Sequence, residues 1–226
     1  MPLRIAPLAG IALAFAAAPL AAEVVDTSAS GFVTRDEAVV EADLKDTWLA
    51  LIAPAKWWNS AHTWSGDSAN LTMRPQAGGC FCERIPEDPD PDRITLEGSV
   101  EHMRVIHAFP EKALRLQGAL GPLQSEPVTG VLTIALTKVD DGTRIVWEYN
   151  VGGPMRYKVA DISKAVDGVM TQQLAGLAAL LGRVEGPEPA SETADEPEDA
   201  EPAEEPLEDA AAEPSVDQAF GDLSDG

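Results

Sequence analysis

The chain has 226 residues and a formal net charge of −22, from 38 acidic and 16 basic side chains. Residues 185–226 contain 16 acidic residues and no basic one, so the remainder, with 22 acidic and 16 basic side chains, carries a charge of only −6. No basic stripe offsets repulsion by phosphates, and the composition therefore argues against nucleic-acid binding.

Residues 1–22 have the layout of a secretory signal peptide. Arg4 is followed by an apolar run over residues 5–20 and by small residues up to Ala22. Pro7, Pro19 and the shortness of the run argue against a transmembrane helix. The pattern predicts cleavage after Ala22, a periplasmic or secreted protein, and no stable membrane span after cleavage. An uncleaved membrane anchor is the alternative.

Residues 23–184 are about the length of one domain and begin with a mixed strand and helix pattern. A strand is predicted over 24–33. Thr34 and Glu37 then form a Thr-x-x-Glu capping box, which predicts that a helix begins here. The apolar face of this helix consists of Val40, Leu44, Trp48 and Leu51. Pro54 ends the helix, and a second short helix over 55–59 and a polar loop over 60–70 are predicted to follow.

From residue 71 the apolar pattern changes to the period of two that is typical of strands. The predicted strands are 71–74, 79–85, 98–109, 113–118, 127–139 and 143–151, with a hairpin turn at D-D-G-T, residues 140–143. A long helix is predicted over 157–183, and Gly168 and Gly176 suggest that it lies close to other backbone. Its apolar face consists of Val159, Ile162, Val166, Val169, Leu174, Leu177 and Leu181. The predicted class is therefore α+β.

The order of elements and several short segments carry a family resemblance. The segments are T-W-L-A-L-I-A-P-A-K-W-W-N-S, H-T-W-S-G-D-S-A-N-L, A-G-G-C-F-C-E-R, V-E-H-M-R-V, G-A-L-G-P-L-Q and V-D-G-V-M-T-Q-Q-L. They resemble the START-like superfamily, also called SRPBCC, and in particular an exported branch labelled polyketide cyclase or ATPase-activator-like. The resemblance implies a helix-grip fold, in which a curved antiparallel sheet of about six or seven strands surrounds a long C-terminal helix. It also implies a hydrophobic cavity between sheet and helix. Relatives bind lipids, sterols or polyketides and only some are enzymes, so no reaction is implied.

Cys80 and Cys82 are the only two cysteines. In a regular strand their side chains point the same way, with Cα atoms about 6.6 Å apart. This is near the upper end of the disulfide range, so a bond between them would strain the strand. Export favours the disulfide. The preferred interpretation is nevertheless two thiols that face the cavity as small apolar groups.

Two reactive alternatives for the cysteines are weaker. A zinc site with His62 and His102 has suitable ligand types, but its spacing matches no established motif. A nucleophilic cysteine paired with a histidine would need Glu83 or Glu101 to orient that histidine. In a regular strand Glu83 faces away from both cysteines. Neither a metal nor a cofactor is therefore expected.

His62 and His102 are the candidate catalytic residues. His62 and Trp64 lie in the loop that borders the cavity mouth in START-like folds, although a purely structural role is equally compatible with their positions. Alternation along the strand groups His102 with Val100 and Arg104, and His107 with Met103. The sequence does not identify which group faces inward, and a structural role is the simpler interpretation of either strand histidine.

The leading prediction is an exported domain that binds a small apolar or amphipathic molecule. The predicted ligand contacts are His62, Trp64, Cys80, Cys82, Leu132, Ile134, Trp147, Tyr149, Val166, Met170 and Leu174. The first alternative is a cyclase- or dehydratase-like enzyme with a cavity histidine as general base. The second is an interaction module that docks a protein partner through the Pro/Ala/Glu-rich acidic tail, 185–226, which is predicted to be disordered.

Overall fold

A computed structural model describes residues 23–88 and 95–184. The strands are β1 (Glu23–Thr27), β2 (Gly31–Val40), β3 (Leu71–Met73), β4 (Cys80–Ile85), β5 (Gly98–Phe109), β6 (Ala113–Gly118), β7 (Thr129–Val139) and β8 (Gly142–Gly152). The helices are α1 (Leu44–Leu51) and α2 (Val159–Leu180). The predicted signal peptide and acidic tail lie outside the described residues.

All eight strands form one antiparallel sheet in the order β1-β2-β8-β7-β6-β5-β4-β3. The predicted α+β class and helix-grip arrangement are confirmed, with slightly more strands than expected. Apolar side chains on the inner face of the sheet pack against α2, and burial of this surface is the main stabilising term. None of the helices in the described ranges combines the length and apolar character that a membrane crossing requires.

The first strand and first helix differ from the prediction. The Thr34 and Glu37 pair does not start a helix, because both residues lie within β2, which pairs with β8 along its whole length. Thr34 is buried, and Glu37 accepts two hydrogen bonds from Arg144 on β8. Helix α1 starts four residues after the strand ends, where the Asp43 side chain accepts a hydrogen bond from the backbone of Asp46. The ladder with β8 satisfies backbone groups that a local capping box would satisfy only in part.

Between α1 and β3 the chain forms short 3-10 turns at Pro54–Lys56, Ser60–His62 and Ser68–Asn70. The first replaces the predicted second helix. It places Trp57 against α2 and the sheet, where the indole Nε1 donates to the backbone oxygen of Ala50 at 2.9 Å. The ring packs edge-on against Trp147 of β8 with 5.8 Å between ring centroids. These contacts place the Trp57 ring in the buried core.

Helix α2 approaches this segment closely at Gly176. A Cβ atom there would lie 2.4 Å from the backbone oxygen of Trp57, so only glycine fits. Gly168 has no such neighbour, and the expectation of a close backbone approach is wrong for this glycine. The buried Gln173 accepts a hydrogen bond from the Asn59 backbone at 2.8 Å, which fixes the loop after Trp58 to the helix.

Candidate functional site

A cavity of about 380 Å³ lies between the first half of α2, the loop after Trp58 and the turn after β6. Its lining is mostly apolar, with two histidines among the polar groups. The lining residues are Trp58, Ala61, His62, Thr63, Trp64, His102, Leu120, Gly121, Pro122, Ile162, Ala165, Val166, Val169 and Met170. This combination is typical of small-molecule sites, in which a few polar groups orient an apolar ligand.

His102 and Glu83 form a buried hydrogen-bonded pair at the wall of the cavity. His102 Nε2 lies 2.8 Å from Glu83 Oε2, and the two residues are 6 % and 1 % exposed. Glu83 also accepts backbone hydrogen bonds from Trp64 at 3.1 Å and from Ser65 at 2.5 Å. Burial opposes ionisation of the carboxyl group, but the hydrogen bonds from Ser65, Trp64 and His102 outweigh it and lower the pKa of Glu83. An ionised Glu83 therefore holds the His102 ring in place.

A β-bulge explains why His102 faces inward. The β4–β5 register shifts after Phe81, which pairs with Met103, whereas Cys82 pairs with Glu101. His102 is the extra residue, and both it and Met103 are buried. Strict alternation would have placed these neighbours on opposite faces, so the bulge allows one stretch of strand to contribute a core side chain and a cavity side chain.

His62 enters the cavity from the loop. Its Nε2 atom lies 3.0 Å from Gln172 Oε1 on α2. Asn59 Nδ2 also donates to Gln172 Oε1, at 3.4 Å, and Asn59 Oδ1 accepts from the Ala61 backbone at 3.0 Å. These bonds connect the loop with the helix at the edge of the cavity.

A hydrogen bond between Trp64 and Gln124 connects the loop after Trp58 with the turn after β6. Trp64 is 58 % exposed, yet its indole Nε1 donates to Gln124 Oε1 at 3.1 Å. Gln124, in the 3-10 turn Gly121–Ser125, in turn donates to the backbone oxygen of Glu101 on β5 at 3.1 Å. The two hydrogen bonds fix the ring of Trp64 relative to β5.

The hydroxyl group of Tyr149 stabilises the turn after β6 through two hydrogen bonds. Its hydroxyl accepts from the Leu120 backbone at 3.2 Å and donates to the Gly118 backbone oxygen at 3.3 Å. Burial raises the pKa of Tyr149, so its hydroxyl stays protonated and serves as a structural group. Leu123 of the same turn is fully buried.

The interpretation of Cys80 and Cys82 as free thiols is wrong, because the structure joins them by a disulfide. Their Cα atoms are 5.4 Å apart, closer than in a regular strand, and β4 is locally shortened opposite the bulge. The cysteines lie on the face of β4 opposite to Phe81 and Glu83, and only the latter two are buried. Free thiols facing the cavity are therefore excluded.

The structure brings part of the predicted ligand-contacting set together. His62, Trp64, Val166 and Met170 line the cavity, together with the candidate His102. Outside the lining lie Cys80, Cys82, Leu132, Ile134, Trp147, Tyr149 and Leu174. Leu132, Ile134, Trp147 and Tyr149 are buried in the core of the protein, where Trp57 packs edge-on against Trp147.

Glu83 supports His102 but is not among the predicted site residues. The prediction treats it only as a partner for a cysteine nucleophile, a role that is disfavoured because it faces away from the cysteines. The pattern that indicates its role is its spacing from Phe81. The large apolar ring marks the buried face of β4, and Glu83 shares that face.

Within residues 23–88 and 95–184, no three His, Cys, Asp or Glu side chains are grouped so that they could hold a metal ion.

No protein-family model and no curated protein matches this chain. Solved structures similar to this chain include a putative uncharacterized protein from Rhizobium leguminosarum, with 19% identity over 68% of this chain and 96% of that chain and a TM-score of 0.49. CalU16 from Micromonospora echinospora has 13% identity over 70% of this chain and 77% of that chain, with a TM-score of 0.42. A conserved protein of unknown function from Enterococcus faecalis, EF2215, has 14% identity over 74% and 80%, with a TM-score of 0.43. Likenesses at this level assign neither a family nor a function.

Proposed function

We propose that this protein is an exported START-like domain that binds a small hydrophobic or amphipathic molecule. The observation that carries the proposal is the cavity of about 380 Å³, whose lining is apolar except for a few placed polar groups. Cavities that bind small molecules in proteins span roughly 300–1,000 Å³. The apolar body of the ligand would contact Ile162, Val166 and Met170 of α2, and its polar end would meet His62 or His102.

A substitution that fills the cavity tests this proposal. Val166→Phe places a larger side chain in the cavity wall and is expected to weaken binding of the neutral fluorescent probe N-phenyl-1-naphthylamine at least about tenfold, or ~1.4 kcal/mol. Leu180→Phe is the matched control, because Leu180 is an exposed apolar residue of the same helix outside the cavity. Fluorescence titration measures both. The absence of saturable binding by the unmodified protein would contradict the proposal.

One observation favours a second candidate, a cyclase- or dehydratase-like reaction with His102 as general base. A general base needs a fixed orientation and a partner that stabilises its protonated form, and the buried, ionised Glu83 offers both. Native mass spectrometry of the protein from its own host would identify a bound molecule. Chromatography of that molecule before and after incubation with the protein distinguishes the candidates: conversion supports catalysis, and recovery unchanged supports binding alone.

A further inference from the structure

The hydrogen bonds of His102 determine which of its ring nitrogens a ligand can use. Glu83 Oε2 accepts from the Trp64 backbone N–H and lies 2.8 Å from His102 Nε2. Because an ionised carboxylate only accepts, His102 Nε2 carries a hydrogen and donates it. In the neutral ring, the remaining nitrogen, Nδ1, then has a lone pair and acts as an acceptor.

The same conclusion holds for His62, through a longer chain of hydrogen bonds. A backbone N–H can only donate, so the bond from Ala61 fixes the carbonyl end of the Asn59 side chain at Oδ1. The other end, Nδ2, must donate, which identifies its partner on Gln172 as the oxygen Oε1. His62 Nε2 contacts this same oxygen and must donate to it. Neutral His62 therefore also keeps Nδ1 as an acceptor.

The other side-chain donors in the cavity lining are already in use. Trp58 Nε1 donates to the His62 backbone oxygen at 3.1 Å, and Trp64 Nε1 donates to Gln124. The Thr63 hydroxyl donates to the Ser60 backbone oxygen at 2.7 Å. Apart from the two histidines, the remaining lining residues have no side-chain N–H or O–H group. The side chains that line the described cavity thus offer hydrogen-bond acceptors and no uncommitted donor.

We propose that the cavity selects apolar molecules that carry hydroxyl groups, such as phenols, enols or alcohols, whose O–H donates to Nδ1 of His102 or His62. This inference rests on the proposed ligand-binding function and specifies its ligand class. A carboxylate brings only acceptors, so it would face the histidine lone pairs, and no lining side chain would offer it an uncommitted donor. An ether of the same shape would leave Nδ1 buried and unpaired, which costs binding free energy.

Three naphthalene probes of similar shape test this selectivity: 2-naphthol, 2-methoxynaphthalene and 2-naphthoate. Isothermal titration calorimetry at about pH 8 is expected to show 2-naphthol binding about tenfold more tightly than its methyl ether. If burial of apolar surface alone determined affinity, the more apolar ether would bind more tightly than 2-naphthol. 2-Naphthoate is expected to bind more weakly than 2-naphthol.

Histidine variants assign the effect to the two rings. His62→Phe and His102→Phe are each expected to reduce the preference for naphthol over the ether while the ether still binds. His62 lies in the half-buried loop and serves as the second test where the buried His102 variant does not fold. His107→Phe is the matched control, because His107 lies on β5 outside the cavity lining, and it should leave the preference unchanged.

Nitrogen-15 NMR of the three histidines provides a readout that does not depend on ligand. The expected spectrum at the same pH shows His62 and His102 protonated at Nε2 and unprotonated at Nδ1. Protonation of Nδ1 in both rings, or equal affinity for the three probes, would overturn the proposed selectivity while leaving an apolar binding site. Failure of every probe to bind would instead contradict the proposed function itself.

Discussion

At the scale of single residues, Asp36 is a buried carboxylate on the inner face of β2. Its Oδ1 atom accepts from the Glu37 backbone at 2.7 Å, whereas Oδ2 is buried without a hydrogen-bond partner among the described groups. Burial raises the pKa of Asp36. The hydrogen bond from the Glu37 backbone, the Thr171 side chain and the positive charge of Arg183 lower this pKa, but they offset the effect of burial only in part. The charged form of Asp36 is therefore less stable in the folded protein than in the unfolded chain.

The raised pKa of Asp36 predicts stability that falls with increasing pH. Above the ordinary aspartate pKa of about 3.9, the unfolded chain loses this proton while the folded protein retains it up to its higher pKa. Asp36 therefore contributes fully to the free energy of unfolding below its ordinary pKa of about 3.9. This contribution is lost as the pH rises through the raised pKa of the folded protein. Asp36→Asn should raise the free energy of unfolding at pH 7 by about 1 kcal/mol, measured by urea denaturation.

Asp26→Asn is the control for Asp36→Asn, because Asp26 is exposed on the edge strand β1. It removes the same formal charge and should change the free energy of unfolding by less than about 0.5 kcal/mol. A loss of stability at pH 7 in Asp36→Asn, or the same small effect in both variants, would show that burial of the Asp36 charge carries no cost.

At the scale of elements, the β4–β5 pair supports both parts of the buried His–Glu pair. The disulfide joins the residues on either side of Phe81, whose ring lies 5.2 Å from the rings of both Trp58 and His102. Glu83 follows Cys82 directly. The disulfide lies on the outer face, where the Cα atoms of Cys80 and Cys82 are 5.4 Å apart beside the bulge that turns His102 inward. We infer that it positions the histidine without contacting the ligand.

Reduction of the disulfide should therefore affect the cavity as well as stability. The chain-entropy argument for so short a loop gives a loss of about 1–2 kcal/mol in the free energy of unfolding. The nitrogen-15 resonances of His102 should also shift, and probe affinity should fall several-fold. The double variant Cys80→Ser, Cys82→Ser should show both effects without reductant and should not respond to it. Unchanged His102 resonances after complete reduction would limit the disulfide to a role in stability.

The same two elements show what sequence reasoning can and cannot predict. Alternation predicted the bounds of β5 and β6, and it placed Glu83 opposite the cysteines, because these features depend on local side-chain pattern. The bulge at His102 depends on how two distant segments pair, and no local pattern reveals it. The capping box at Thr34 failed for a related reason, since pairing with β8 overrides a local helix preference.

At the scale of the whole molecule, the space between the sheet and α2 divides into a solid half and an open half. Large buried side chains, including Trp57, Trp147 and Leu174, fill the solid half, and the cavity occupies the other. The periodicity of the sequence identified the facing surfaces of sheet and helix, but not the boundary between these halves. The boundary depends on Trp57, which reaches the sheet from the irregular segment after α1.

Replacing Trp57 with alanine tests this division of the molecule. Trp57 is 8 % exposed and bonded to the Ala50 backbone, so Trp57→Ala should lower the free energy of unfolding by about 3–5 kcal/mol. The space vacated beside Trp147 should let the protein bind bulkier apolar probes than before. Trp64→Ala is the matched control, since the largely exposed Trp64 should cost less than about 1 kcal/mol in urea denaturation. Equal costs for the two variants would contradict the assignment of Trp57 to the solid half. A large cost without binding of bulkier probes would show that the core collapses into the vacated space.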